Sequence, residues 1–209
     1  MTSYEVEHEK ELHLIVASKD STGFHHVHPE RAADGSWSVM LPALVPGPYR
    51  AFADFVVADG PDLTLGVDLS VTGSYQAQPL PPVARSQTVD DYTVTLSGNA
   101  VAGRESEIIL SVNRGGQPVT DLQPYLGALG HLVALRTNDL AYLHVHPLQE
   151  GHGPGGPEVK FMVNIPSEGT YRLFFDFSHA GTVRNAAFTI EAAATPSSGP
   201  ADGDGHGGH

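Results

Sequence analysis

The chain has 209 residues, of which 11 are Lys or Arg and 24 are Asp or Glu, so its formal net charge is −13. Such an acidic chain repels the phosphates of nucleic acid and an anionic membrane surface, which makes both poor binding partners. It contains no cysteine, which excludes disulfides, thiolate metal sites, iron–sulfur clusters and cysteine nucleophiles, but its 12 histidines outnumber Lys and Arg together.

The N-terminal residues are polar and acidic, so they do not form a signal peptide. We expect either a cytoplasmic protein or one from which a signal has been removed. No apolar segment approaches the roughly 18 residues that a membrane helix needs, so no membrane insertion is expected.

Short segments with strand character, separated by turn residues, predict five strands in the first half of the chain. They lie at residues 12–17, 24–28, 37–41, 49–56 and 63–71.

A Pro-rich segment at residues 74–88 is predicted to be a linker. The second half shows seven short segments with strand character and no helical period. These strands are predicted at residues 91–96, 107–113, 131–136, 141–146, 159–165, 170–177 and 183–190.

The predicted domain boundaries follow from this pattern. Residues 1–73 form the first β-sandwich repeat, and residues 89–191 form the second. Residues 192–209 are a low-complexity tail, predicted to be disordered, whose two histidines either gather metal weakly or do nothing. We predict an all-β protein of two tandem immunoglobulin- or cupredoxin-like β-sandwich domains, the first lacking its N-terminal strands.

An internal repeat supports this division. The segment from His13 to Pro29 aligns without a gap with the segment from His131 to Pro147, at a constant offset of 118 residues. A second match, Tyr-Arg-Ala-Phe-Ala-Asp-Phe with Tyr-Arg-Leu-Phe-Phe-Asp-Phe, has an offset of 122. The chain is therefore predicted to hold two copies of one domain type.

Three histidines recur in each copy. Side chains alternate along a strand, so the two imidazoles of a His-X-His sequence share one face. With residues 138 and 139 as the hairpin turn, residue 131 lies opposite residue 146, and cross-strand neighbours are about 5 Å apart. Three imidazoles at that spacing can bind one metal ion with bonds of about 2 Å. The predicted ligands are His13, His26 and His28 in the first copy, and His131, His144 and His146 in the second.

Further ligand candidates differ between the copies. His8 precedes the first copy's histidines, and His179 follows the Tyr-Arg strand of the second copy. His25 and His152 are weaker candidates, because His25 belongs to the opposite face and His152 to a Gly-rich loop. Asp54 and Asp176 recur on the Tyr-Arg strands, where they either orient a ligand imidazole or form ion pairs with Arg50 and Arg172.

The ligand type limits the metal. Imidazole nitrogens alone suit Cu(II) and Zn(II), and the absence of cysteine excludes a blue-copper centre. We expect Cu(II) first, with Zn(II) as the second candidate. Nothing matches a Ser-His-Asp site or a phosphate-binding glycine loop.

The motifs His8-Glu-Lys-Glu-Leu-His13, Phe24-His-His-Val-His-Pro29 and Tyr142-Leu-His-Val-His-Pro147 resemble those of exported bacterial proteins with YtkA-like or heavy-metal-binding immunoglobulin-like domains. The resemblance covers nearly the whole ordered chain. It implies a β-sandwich, an extracytoplasmic location, and a role in sequestering or delivering copper or another transition metal.

A second, local resemblance links Gly23-Phe-His-His-Val-His28 to the copper motif of Cu/Zn superoxide dismutases. Here one histidine is inserted, and the cysteine pair and zinc loop are missing. The alternatives to metal handling are thus a copper-dependent redox enzyme and a structural or adhesive β-sandwich array, so catalytic activity is left open. Homodimerisation through exposed sheet edges is a further expectation.

Overall fold

The computed structural model describes residues 3–148, 151 and 153–194. Every regular element in these residues is a β-strand. No helix in this part of the chain is long and apolar enough to span a membrane. The strands are β1 (His13–Ser18), β2 (Phe24–Val27), β3 (Glu30–Arg31), β4 (Trp37–Ser38), β5 (Gly47–Val56), β6 (Asp62–Val71), β7 (Ser86–Val89), β8 (Tyr92–Ser97), β9 (Glu105–Arg114), β10 (Gln117–Pro118), β11 (His131–Arg136), β12 (Tyr142–Pro147), β13 (Glu158–Asn164), β14 (Gly169–His179) and β15 (Thr182–Ala192).

The predicted all-β fold is confirmed, and each predicted strand has a counterpart. The strand expected at residues 37–41 is reduced to β4, which pairs only with the two-residue strand β3. Strand β7 lies partly within the predicted linker, because Ser86 to Val89 pair with β8 in the second half of the chain. Proline content marks this segment as a connection but does not show where pairing resumes after the last proline.

The second half forms a β-sandwich. Its sheet has the order β15-β14-β11-β12-β13-β9-β8-β7, with β10 paired to β9. The sheet folds over so that β11, β14 and β15 lie against β8, β9 and β13, and both layers enclose one apolar core. The largest fully buried side chains of this core are aromatic: Tyr92, Phe161, Tyr171, Phe175, Phe177 and Phe188.

The first half adds a third layer. Its four-stranded sheet, in the order β2-β1-β5-β6, packs on the outer face of the layer that contains β11 and β14. Ile15 and Phe52 from the first sheet contact Val133 and Phe174 from the second in a buried apolar cluster. Because side chains alternate along each strand, this packing also determines which histidines face the second sheet.

The two facing sheets have the same internal arrangement. His13 pairs with Asp54 between β1 and β5, and His131 pairs with Asp176 between β11 and β14. Two aromatic pairs join the sheets. Phe24 stacks on Phe174 with 4.1 Å between ring centroids, and Phe52 stacks on Tyr142 at 5.6 Å. In the described first half, no strands correspond to β8 and β9.

Candidate metal centre

Two hairpins bring the predicted ligands to one end of the layer interface. In the first hairpin, Leu14 pairs with Val27 and Ile15 with His26. In the second, Leu132 pairs with Val145, which is the register predicted from the sequence. The registers are set by short turns and by the apolar face that each strand must bury against the other sheet.

His13, His26 and His28 form a compact cluster. One nitrogen from each ring lies within 4.8 Å of the others. The ring centroids are 5.3 Å apart for His13 and His26, 4.9 Å for His13 and His28, and 4.8 Å for His26 and His28. These three rings are close enough to share one ion, as the sequence predicts.

The outward nitrogens of two of these rings contact hydrogen-bond acceptors. His13 Nε2 lies 3.0 Å from the carbonyl oxygen of Glu7, and His26 Nδ1 lies 3.1 Å from Asp176 Oδ2. A carbonyl and a carboxylate can only accept, so each of these nitrogens carries a proton and donates it. The other two nitrogens, His13 Nδ1 and His26 Nε2, therefore hold lone pairs, and they face each other at 3.1 Å.

Burial favours the neutral form of two of these imidazoles, those of His13 and His28. His13 is only 6% exposed, and burial lowers its pKa from 6.5 to about 4. Burial, reinforced by the neighbouring His26 and His13, lowers the pKa of His28 to about 3. His28 Nε2 is buried and has no hydrogen-bond partner within the described part of the chain. Neutral rings with unprotonated nitrogens are the form in which histidine binds metals.

The second half of the chain extends the cluster. His131 Nε2 donates to the carbonyl oxygens of Tyr125 at 2.9 Å and Leu126 at 3.2 Å, as His13 does to Glu7. The rings of His8 and His131 are 4.7 Å apart. Burial, reinforced by the neighbouring His8, lowers the pKa of His131 to about 3. The two sheets face each other, so His131 adjoins the histidines of the first copy. A separate site in the second copy stays a prediction.

His8 reaches the cluster from a tight turn. Glu7 and Lys10 pair with each other, and the two residues between them, His8 and Glu9, have φ angles of 47° and 64°. Both angles lie in the left-handed region, which a two-residue β-turn of this kind requires. The turn places His8 beside the start of β1, as expected for the additional ligand of the first copy.

His179 lies elsewhere. Its strand β14 carries Asp176 and Phe174 toward the first sheet, so residues 175, 177 and 179 face the sandwich core on the other side. There His179 Nδ1 is 2.6 Å from the Tyr92 hydroxyl, and Nε2 is 3.0 Å from Asp121 Oδ1. The structure therefore does not bring His179 to the cluster, and both of its nitrogens are engaged.

The two recurrent aspartates, Asp54 and Asp176, do not form the ion pairs with Arg50 and Arg172 that were the alternative to orienting an imidazole. Asp176 accepts from His26 and from the Asn185 side-chain amide, so it orients a cluster imidazole. Asp54 accepts from Thr64 and from the Tyr142 hydroxyl of the opposite sheet. Arg50 instead pairs with Asp68, and Arg172 donates to the Ser21 carbonyl and the Thr189 hydroxyl.

Some predicted residues are outside the described set. His144 and His146 belong to β12, but their side chains lie outside the described residues, as do His152 and the tail histidines. His25 is on the opposite face of its strand from His26, as expected, and pairs with Val16.

Sequence reasoning missed the backbone carbonyls of Glu7, Tyr125 and Leu126, which fix the protonated nitrogens of two rings. A signal was available, since Glu7 and Tyr125 are separated by the same 118 residues as the histidines that they contact.

Comparison with known proteins identifies the family. The model of a domain of unknown function (DUF8832) matches residues 1–73 and 87–194, so the chain belongs to this family. No curated protein matches. Among solved structures, the chain is similar to domains 4 and 5 of the S-layer protein SbsC, with 13% identity, a TM-score of 0.33, and coverage of 91% of this chain and 74% of the other.

A structure of domains 1–6 of the surface layer protein SbsC gives 14% identity and a TM-score of 0.34, with 91% of this chain and 21% of the other covered. At TM-scores this low, the likeness carries no argument about this chain.

Proposed function

We propose that this member of the DUF8832 family binds a transition-metal ion through His13, His26 and His28. The supporting observation is a row of three polar contacts that two neutral imidazoles cannot all satisfy. The line runs from the Glu7 carbonyl through His13 and His26 to Asp176, and it contains three contacts of 3.0 to 3.1 Å. Each contact needs a proton or a cation, but two neutral imidazoles supply only two protons.

A metal ion can supply the positive charge that the remaining contact lacks. A metal ion between His13 Nδ1 and His26 Nε2 fits their spacing of 3.1 Å, because two nitrogens bound at about 2.0–2.1 Å around a tetrahedral ion are about 3.3 Å apart. His28 Nε2, which is buried and unpartnered among the described residues, is the third ligand.

The ligand chemistry favours Cu(II), with Zn(II) second. A neutral all-imidazole site binds Cu(II) most tightly among the divalent first-row metals. Asp176 supports the site as a partner of the ligand His26, a contact that raises the basicity of the opposite ring nitrogen. The net charge of −13 favours accumulation of cations near the chain.

Two cavities adjoin the site. The one between His8, His13, His26 and His131 has a volume of about 20 Å³, which is room for about one water molecule. The other, of about 430 Å³, is lined by His28. We assign metal sequestration or delivery on the family resemblance, with a copper-dependent redox enzyme as the alternative. The extracytoplasmic location belongs to the same proposal and is supported by the family resemblance alone.

Metal titration of the stripped full-length chain tests this function. We expect Cu(II), in competition with a chelator of known affinity, to bind with a Kd below about 1 μM. His26→Ala should weaken this binding by more than tenfold. The matched control is His25→Ala, which alters the adjacent residue on the opposite face of β2 and should leave the affinity unchanged.

Two results would reject the proposal. One is binding of less than one equivalent of Cu(II) or Zn(II) at this affinity. The other is an equal response of the two variants, which would make the cluster incidental and would favour a structural or adhesive role.

A further inference from the structure

Among the side chains that the structure describes, five imidazoles meet at the layer interface. The rings of His8, His131, His26 and His13 follow one another around a closed circuit, with centroid separations of 4.7 Å, 6.3 Å, 5.3 Å and 6.1 Å. His28 lies outside this circuit, against His13 and His26. The proposed ion uses His13, His26 and His28, so His8 and His131, on the far side of the circuit, are not among its ligands.

His131 has the same proton arrangement as His13. Its Nε2 donates to the carbonyl oxygens of Tyr125 and Leu126, so the lone pair is on Nδ1. Like His13, it is only 6% exposed. His131 is therefore a second buried imidazole with a nitrogen available to a cation, and it is contributed by the other sheet.

A cavity of single-ion size lies inside the circuit. Its volume is about 20 Å³, and the four imidazoles of His8, His13, His26 and His131 line it. A cavity needs about 10–15 Å³ to hold one water molecule, so this one admits a single ion or water. The rest of its lining is Leu132, Val133, Val145 and Tyr142. The imidazoles thus dominate its polar lining.

Buried carboxylates can offset the charge of a second cation. Asp54 is 3% exposed and Asp176 is 6% exposed, and they pair with His13 and His131 across β1–β5 and β11–β14. The Asp176 carboxylate contacts His26 at 3.1 Å, and that of Asp54 accepts from Tyr142, which lines the cavity. In a buried environment, such charges strongly reduce the repulsion between two neighbouring cations.

We propose that the cluster is a dinuclear metal centre, in which a second ion binds His8 and His131 beside the first. This inference rests on the proposed function, because it adds an ion to the same site. It makes the centre a joint product of both halves of the chain: His8, His13, His26 and His28 come from the first, and His131 from the second.

Electron paramagnetic resonance of the full chain during Cu(II) titration tests the second ion. The first equivalent should give an isolated Cu(II) spectrum, and the second should broaden and diminish it through magnetic coupling between close ions. His131→Ala and His8→Ala should each keep the isolated spectrum and lose the coupling. His179→Ala, on the other face of β14, should retain the coupling.

The outcomes separate the two proposals. If binding depends on His26 but the spectrum stays uncoupled at every loading, the mononuclear function stands and the dinuclear centre is overturned. Coupling that persists in both His131→Ala and His8→Ala also overturns it. If no binding depends on His26, both proposals fail. Circular dichroism checks that each variant folds. If His131→Ala does not fold, His8→Ala alone tests the second ion, because His8 lies in a turn outside the strands. Copper bound elsewhere raises the stoichiometry without producing this coupling.

Discussion

The two facing sheets share strand order and register but differ in what covers them. Phe188 on β15 and Val67 on β6 occupy matching positions, because they pair with Leu173 and Ala51 on the corresponding inner strands. Phe188 is fully buried, whereas Val67 is 63% exposed. The second sheet is a middle layer with a neighbour on each face, and the first sheet has a neighbouring sheet on one face only.

This difference explains how the candidate centre is divided between the sheets. The middle layer can hold polar groups such as Arg172 and Asp176 in buried hydrogen bonds, because protein surrounds it on both sides. The outer sheet supplies the described three-histidine cluster. The same strand pairing therefore does not imply the same role. The outer sheet carries most of the described candidate ligands, and the middle layer supports them through contacts such as that of Asp176 with His26.

The largest expected effect contrasts the matching apolar positions. Phe188→Ala should destabilise the protein by about 3–5 kcal/mol, because it leaves a cavity in the sandwich core. Val67→Ala should change stability by less than about 0.5 kcal/mol, because its side chain is mostly in water. Urea unfolding of both variants measures the difference. Similar losses in the two would show that this face of β6 is covered in solution.

The matching arginines give the next contrast. Arg172 is 3% exposed and bonds Ser21 and Thr189, so Arg172→Met should cost about 2–3 kcal/mol by leaving buried acceptors unpaired. Arg50 pairs with the exposed Asp68, and Arg50→Met should cause no measurable loss. Thermal and chemical unfolding should agree on this order, and the reverse order would contradict the middle-layer interpretation.

Acid should destabilise the metal-free protein through its buried histidines. His13 has a pKa of 6.5 unfolded and about 4 folded, so between these values the unfolded state binds more protons. Its contribution to stability is complete above pH 6.5 and falls as the pH approaches 4, with a loss of about 2 kcal/mol at pH 5.

Urea unfolding at pH 7.5 and pH 5 measures this loss. The variant His13→Gln should show a smaller difference between the two pH values. An unchanged difference would mean that His13 titrates alike in both states.

The last expected effect concerns the support from the middle layer. Asp176→Asn should weaken Cu(II) binding by about 10- to 100-fold, because His26 loses its charged orienting partner. Asp121→Asn is the matched control, since Asp121 contacts His179 on the opposite face of β14. Competition titrations compare the two, and an equal loss in both variants would indicate a general charge effect.

Much of the fold could be predicted from the sequence because its causes are local. Alternating apolar residues and turn residues specify strands, and a turn centred on residues 138 and 139 specifies the register of Leu132 with Val145. Strand β7 and the two-residue strands could not be predicted in this way. Their pairing depends on neighbours distant in sequence, and too few residues alternate to give a pattern.

The amino-acid sequence by itself determined the all-β fold, the hairpin registers and the grouping of His13, His26 and His28, because alternation and turn length act within a few residues. Only the tertiary structure decided that the two sheets face each other. That packing brings Asp176 to His26 across 150 residues and His8 to His131, and the burial of His131 lowers the pKa of its ring. Such contacts depend on how the apolar faces of whole sheets are buried, which no local pattern encodes.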